Sequence, residues 1–446
     1  MDSQGRRILS LVALLCLMAP PRARAQKVHE RFSFGGFAST ERFQDASGGS
    51  DSNDFAVASA RAFLMVQDWG RGKWELISDL RDKHDFFDKL DSERLQLTDR
   101  NEFQLRQMSL RRANPRLFWN PQFGRFPIPE AGSAFTDGAQ IAMNFSPSLT
   151  ASFFGGLNPK QEAQSYLAFD PDSQVYGATL RYQSAARSWT RNFYTAHSYV
   201  EKVYAGHLDR RYIFHNMSYQ WRPTSRLLTL AYLDLVPRTY VQTANLIWQQ
   251  GFSRYFSTEL AGLSMDSIEY SRRAGVLEKL PSSPYREGRL KLNLRSSART
   301  RFFHDSIYGK REVDKKERIE EHLGVFRTGI FSKNWDGHAL LGWRRNFTSL
   351  DYLARAGLGY FSRSWESTLD VDYATQKYDE GKTLNPLIAE ISLSHYHSRN
   401  LYSTISVQHA ADEEKRILSV FFKLGLQLGN QEVAPVRDGA PPRGRL

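Results

Sequence analysis

The sequence predicts an all-β protein: a transmembrane, antiparallel, up-and-down β-barrel of 18–22 strands, with 22 as the best count. Three observations carry this prediction. From about residue 30 onward apolar and polar residues alternate with period two, the signature of strands with one apolar face. The alternating elements run for roughly 10–14 residues, enough for a tilted strand to cross a bilayer, whereas strands of soluble sheets cluster near 5–6. The connections alternate between very short turns and longer polar segments, which is how transmembrane barrels are built.

Composition agrees. The 446 residues include 20 Tyr, 29 Phe and 9 Trp, too much apolar surface for a solvated, disordered chain. Beyond the N-terminus no stretch approaches the roughly 18 apolar residues of a membrane helix. Mean hydropathy is nevertheless −0.52, as expected if half of every strand faces water. Residues 1–25 read as a secretory signal peptide: Arg6 and Arg7 form the charged region, Ile8 to Ala19 the apolar one, and Ala23-Arg24-Ala25 the small-x-small cleavage site. Cys16, the one cysteine, falls inside this segment, so the mature chain has no disulfide framework and no thiolate metal site. Cleavage removes four Arg and one Asp and lowers the net charge from +12 to +9. A mildly basic, exported, thiol-free protein fits the Gram-negative envelope.

The barrel is expected over 26–428. Strands are read near 30–43, 54–68, 73–86 and 98–112, joined by polar connections 44–53 and 87–97 and the turn Arg71-Gly72. The turn Ala113-Asn114-Pro115 leads into 116–127, a connection over 128–137 follows, and 138–146 turns at Pro147-Ser148 into 149–157. After the long stretch 158–174 comes 175–185, where Tyr176, Ala178, Leu180 and Tyr182 oppose Gly177, Thr179, Arg181 and Gln183. Strands 188–200 and 209–221 flank a connection at 201–208, and Pro223-Thr224-Ser225 turns into 225–235. Strands 239–250 and 253–268 meet at Gly251-Phe252, and the connection 269–283 leads to 284–296. Then come 299–310, 316–331, 334–345 and 350–361. In 365–377, Trp365, Ser367, Leu369, Val371 and Tyr373 face away from Glu366, Thr368, Asp370, Asp372 and Ala374. The last strands are 386–398, 400–410 and 414–428; in the final one Leu418, Val420, Phe422, Leu424, Leu426 and Leu428 share one face. An even count puts both ends of the sheet on the periplasmic side. Tryptophans near strand ends, including Trp69, Trp74, Trp119, Trp189, Trp221, Trp335, Trp343 and Trp365, suit an interfacial girdle.

Gln122-Phe123-Gly124-Arg125, followed by Asp137-Gly138-Ala139, is similar to the GR…DGA run of several large porin-like barrels. Over roughly 27–428 the chain resembles a Gram-negative outer-membrane β-barrel of the porin-like type. The resemblance implies a place in the bacterial outer membrane, with outer-membrane lipid and the barrel-assembly machinery as partners. The sequence departs from such barrels at its end. They usually finish on an aromatic residue, whereas here 429–446 follow the last strand and read as a disordered periplasmic tail. An internal assembly signal is then expected around Phe422 to Leu428.

No catalytic constellation, cofactor motif or metal site stands out. There is no HExxH, P-loop or dinucleotide fingerprint. His215, Asn216 and Ser218 are the candidates for a lipid hydrolase of the Ser–His type, and His395 with His397 share a strand face as two metal ligands would. The basic residues are scattered among acids, unlike a nucleic-acid stripe. The candidate pore-lining residues are Arg106, Arg125, Arg181, Arg355, Asp370, Asp372, Glu390 and Lys423, with Arg125 and the Arg106/Arg111/Arg112 group as a constriction favouring anions. No plug domain is expected before the first strand. Either the count is nearer 18 and a loop such as 158–174 narrows the pore, or another protein fills a wider barrel. The leading reading is a passive channel for small polar or anionic solutes; the alternatives are a subunit of an envelope-spanning secretion, export or motility complex, and an outer-membrane hydrolase. Mass spectrometry of the mature protein tests the first step: its N-terminus is expected at Gln26.

Overall fold

Twenty-two strands form one closed antiparallel sheet. In chain order the first are β1 (Lys27–Gln44), β2 (Ser50–Trp69), β3 (Trp74–Asp85), β4 (Asn101–Arg112), β5 (Trp119–Ile128), β6 (Ala134–Asn144) and β7 (Leu149–Leu157). The next are β8 (Ser173–Gln183), β9 (Phe193–Tyr204), β10 (His207–Arg222), β11 (Ser225–Val236), β12 (Tyr240–Gly251), β13 (Phe256–Met265) and β14 (Tyr285–Arg295). The last are β15 (Thr300–Arg311), β16 (Glu317–Thr328), β17 (Trp335–Arg345), β18 (Ser349–Phe361), β19 (Trp365–Tyr378), β20 (Leu387–Tyr396), β21 (Leu401–Ala411) and β22 (Lys415–Gly429). Thr383–Leu384 pairs onto the upper end of β19 without forming a further stave. This computed structural model describes residues 27–44, 50–69, 73–85, 101–112, 114–159, 171–184, 192–236, 238–271, 277–279 and 284–429. The expected signal peptide and all but the first residue of the expected tail lie outside them, as does Trp189.

Every strand pairs with its neighbours in sequence, and β22 returns to β1 in continuous register from Phe43↔Lys415 to His29↔Gly429. Closure follows from the solvent. Hydrocarbon offers no partner to a strand's free N–H and C=O groups, so a membrane sheet must leave no edge. The alternation sorts side chains as expected. Phe153, Leu323, Leu341 and Ile391 stand on the outer rows, each more than half exposed, and Leu180, Leu246, Leu260, Leu294 and Leu369 are also exposed there, at smaller values. The inner rows carry Asp305, Glu320, Asp351 and Ser419, all buried among neighbours. Some inner aromatic rings lie across a glycine of the adjacent strand: a Cβ on Gly425 would sit 2.3 Å from the Tyr402 ring, and one on Gly324 would sit 2.1 Å from Phe303. Such rings cover backbone that glycine leaves bare.

The two rims differ. At the short-turn end stand Trp69, Trp119, Trp221 and Trp365, all exposed outward. Toward the long-loop end the outer rows present Tyr176, Tyr199, Tyr308, Tyr352 and Tyr373 instead. Indole and phenol both suit the boundary between lipid and water.

Several connections differ from the expectation. The one placed at 201–208 is a two-residue hairpin, Ala205-Gly206, with φ of +48° and +77°; two positive φ values make a turn whose twist matches the strands it joins. Within 269–283 the chain forms a small hairpin, Glu269–Ser271 paired with Leu277–Lys279. The connection placed at 128–137 shrinks to five residues, because β5 and β6 both extend into it. Substituting Leu341→Arg in the outer row should destabilise the barrel by about 2–4 kcal/mol, read by urea unfolding in lipid vesicles. Thr404→Arg on the inner row should change stability by roughly 0.5 kcal/mol or less.

Candidate pore and the hairpin inside it

The β5–β6 hairpin does not stay in the wall. β4 pairs with β5 only from Arg111↔Gln122 to Met108↔Arg125, and β5 continues beyond that point paired with β6 alone, up to Ile128↔Ala134. Gly124 makes the departure sterically feasible. Its φ is +108°, and a Cβ there would lie 2.2 Å from the Met108 carbonyl oxygen. Close backbone approach continues next door, where a Cβ on Gly138 would lie 2.1 Å from the Gly155 oxygen. Only glycine tolerates both demands.

Past this bend the hairpin packs on the inner wall of β7–β11. Phe126, Ile128, Ala131 and Ala134 form a buried cluster with Phe154, Val175, Val200, Tyr212 and Phe214. All five wall residues belong to inner rows: each alternates with an outward side chain such as Phe153, Tyr176, Tyr199 or Ile213. The tip is a single 3-10 turn, Pro129–Ala131, followed by Gly132 at φ +69°. Hydroxyls of the wall satisfy its carbonyls. Ser198 Oγ donates to Glu130 O at 2.5 Å, Tyr212 OH to Ala131 O at 3.2 Å and Tyr232 OH to Gly132 O at 2.9 Å. Arg181 reaches the Glu130 carboxylate at 3.2 Å. A loop with its backbone groups paired and its apolar side chains buried is a fixed element of the lumen.

The sequence candidates distribute as follows. Arg181, Arg355, Asp370, Asp372, Glu390 and Lys423 lie on inner rows, in register Arg355↔Asp372 and Asp370↔Glu390. Arg125 does not face open lumen. It is 4% exposed, clamped by Asp137 at 2.6 and 2.5 Å and donating to the Leu105 carbonyl at 3.1 Å. Arg106 is an exposed residue at a register shift, where Asp79↔Gln107 gives way to Leu80↔Leu105 and leaves it with no opposite number. The proposed Arg106/Arg111/Arg112 ring therefore does not form as one group, and Arg111 is held by Glu75 at 2.6 Å. Among the described residues the β5–β6 hairpin lies against the inner wall; of 158–174, residues 160–170 lie outside the described part.

Charge on the inner wall is locally compensated. Arg61–Asp79 and Arg344–Asp351 meet at 2.7 Å, Arg318–Glu320 at 2.6 Å, and Arg289–Asp305 and Arg355–Asp372 are likewise paired. His338 Nε2 lies 3.3 Å from Asp370 across Gly357, Ser406 Oγ donates to Glu390 at 2.7 Å, and Lys423 Nζ sits 5.7 Å from the centre of the Tyr402 ring. Across the barrel from the hairpin, β20 and β21 present Ser392, Ser394, Thr404 and Ser406, a wall of hydroxyls. Paired charges and hydroxyls make a wet surface with a weak field, so strong ion selectivity does not follow from it.

The enzymatic and metal candidates separate. His215 stands on the outer face, whereas Asn216 and Ser218 register with the inner residues Leu230 and Leu228; Asn216 is the immediate sequence neighbour of His215 and so points the other way. These three therefore share no site. His395 and His397 approach at 3.0 Å beside Trp365, at the short-turn rim, and among the described residues no group of three or more His, Cys, Asp or Glu could hold a metal ion. The hairpin's partners Ser198, Tyr212 and Tyr232 were not singled out by sequence. One signal for them was available: 126–135, FPIPEAGSAF, is apolar where an exposed loop would be polar.

No protein-family model matches the chain, and no curated protein is similar to it in sequence. Solved structures with a similar outline include OpdQ of Pseudomonas aeruginosa (7% identity, 91% of this chain and 98% of that one, TM-score 0.44). OccK9 (OpdG) of the same organism is similar at 6% identity over 91% and 99%, with a TM-score of 0.45. The P pilus usher (PapC) translocation pore is similar at 12% identity over 89% and 99%, with a TM-score of 0.42. At such values these are likenesses of outline, and the barrel rests on its own strand pairing. Replacing Asp137 by Ala strands a buried guanidinium and should cost about 3–5 kcal/mol. In the double variant Arg125→Met/Asp137→Leu most of that loss should be recovered, both read by urea unfolding in vesicles.

Proposed function

We propose that the chain is a passive channel of the bacterial outer membrane, admitting small polar solutes, anions among them, with the 125–137 hairpin as its constriction. One observation carries the reading: a closed barrel, apolar outside and hydroxyl- and ion-pair-lined inside, holds an ordered element of its own chain within the lumen. Such a build suits a sieve for water-soluble molecules. The hairpin also supplies part of the filling that a 22-strand barrel needs. The reading includes export through the 1–25 signal, insertion by the barrel-assembly machinery, contact with outer-membrane lipid and a periplasmic tail. It assigns no chemical reaction to the chain and uses no cofactor.

A second reading, a barrel subunit of a larger envelope complex, keeps one supporting observation, the width of the ring. The hairpin occupies space a threaded partner would need, and this favours the channel. Planar-bilayer recordings decide between them. Wild-type protein should give discrete conductance steps with weak ion selectivity, and replacing 126–135 by a short Gly-Ser link should raise the step size by about twofold or more, the order expected when the narrowest section of a pore widens. Absence of steps from folded protein would sink the channel reading.

A further inference from the structure

Among the described residues, the outer wall carries polar clusters at mid-height on β15–β16 and on β9–β11, where lipid should be. On β15 and β16, Ser306 Oγ donates to Glu321 Oε1 at 2.6 Å, and His304 Nε2 meets Glu321 Oε2 at 2.7 Å. Register places these groups on the outer row, with His304 opposite Leu323 and Leu292, and Ser306 opposite Glu321; Leu323 is 62% exposed. His304 lies four residues above Thr300 at the short-turn end, and Glu321 four residues below Glu317 at the other, so the cluster sits at mid-height.

The second cluster lies on β9–β11. His197 and His215 face one another, with ring centres 4.7 Å apart and Nδ1 atoms 3.4 Å apart. Thr195 Oγ1 lies 3.2 Å from His197 Nε2, and Thr229 Oγ1 lies 2.9 Å from His215 Nε2. Exposed Leu180, Tyr199 and Ile213 surround them on the same outer rows, and His215 lies eight residues from His207 at the hairpin end and seven from Arg222 at the other, again at mid-height. Between the clusters Leu246, Leu260 and Leu294 stand exposed on the outer rows of β12–β14.

Ionisable side chains on a lipid face are rare and unfavourable because acyl chains offer neither hydrogen bonds nor countercharge. Polar groups on membrane surfaces instead hold protein surfaces together. The two clusters are complementary. One centres on a carboxylate with acceptor capacity beyond its two bonds; in the other both ring nitrogens of each imidazole are engaged, and a threonine hydroxyl that accepts from His215 Nε2 keeps its own O–H to donate to that carboxylate. We infer that they are the two halves of one interface: β15–β16 of one protomer packs against β9–β11 of a second copy. Because the halves occupy different sectors of the same barrel, the contact is heterologous and joins copies head to tail in the membrane plane.

The pair Ile213→Cys and Leu323→Cys in one chain tests this, since the sequence's single cysteine, Cys16, lies in the expected signal segment. Oxidation in native outer membranes should give a ladder of covalent oligomers on non-reducing gels, lost when Glu321→Leu is added. Glu321→Leu makes the lipid face more apolar, and the slower mobility of the boiled protein relative to the unboiled one verifies that its barrel is folded. Native mass spectrometry in lipid nanodiscs should show wild-type oligomers and Glu321→Leu monomers. The inference is overturned by a monomeric wild type, by a ladder insensitive to Glu321→Leu, or by Leu323→Cys crosslinking to itself as efficiently as to Ile213→Cys.

Discussion

Everything in this molecule depends on the backbone having no partner in hydrocarbon. A strand in lipid that leaves its N–H and C=O groups free pays for each of them, so the sheet must close. Closure is the continuous register between β1 and β22, and from it follow both faces of every strand. The outer rows meet acyl chains and become Leu, Phe and Ile; the inner rows meet water and become Arg, Asp, Ser and Thr. The same closure creates the next problem, because twenty-two strands enclose more space than their own side chains fill.

The chain answers that problem with itself. The GR…DGA run has a physical meaning in this fold: its two halves are cross-strand partners, Gly124↔Gly138 and Arg125↔Asp137. The glycines let β5 and β6 bend away from β4 without a backbone clash, and the ion pair holds the bend shut where both groups are buried. Beyond it, Phe126 and Ile128 supply the apolar contact, and the hydroxyls of Ser198, Tyr212 and Tyr232 supply the polar one. A buried ion pair adds little net stability on its own, but losing one partner is severe. It therefore fixes the geometry of the hairpin more than it strengthens the barrel.

Most of the wall was legible in the sequence because period two is imposed by lipid on one side and water on the other. The inward rows of β8, β19 and β22, with Arg181, Asp370, Asp372 and Lys423, follow from alternation alone. The hairpin was not legible in the same way. Alternation fixes which way a residue points from the wall, and it has no say once a segment leaves the wall, so Arg125 read as a luminal cation and is instead a buried clamp. Arg106 escaped for a related reason, since a register shift beside it cancels the parity on which the reading rests. The turn at Ala205-Gly206 was overestimated because the charged residues around it, Glu201, Lys202, Asp209 and Arg210, look like loop but belong to strands.

The most direct measurement is single-channel current through cysteine variants taken one at a time along β20 and β21, with a charged, water-soluble methanethiosulfonate reagent added. The account predicts that Ser392→Cys, Ser394→Cys, Thr404→Cys and Ser406→Cys each lose current on modification, while Leu393→Cys and Ile405→Cys do not respond. Equal responses on both faces, or none on the inner one, would contradict it.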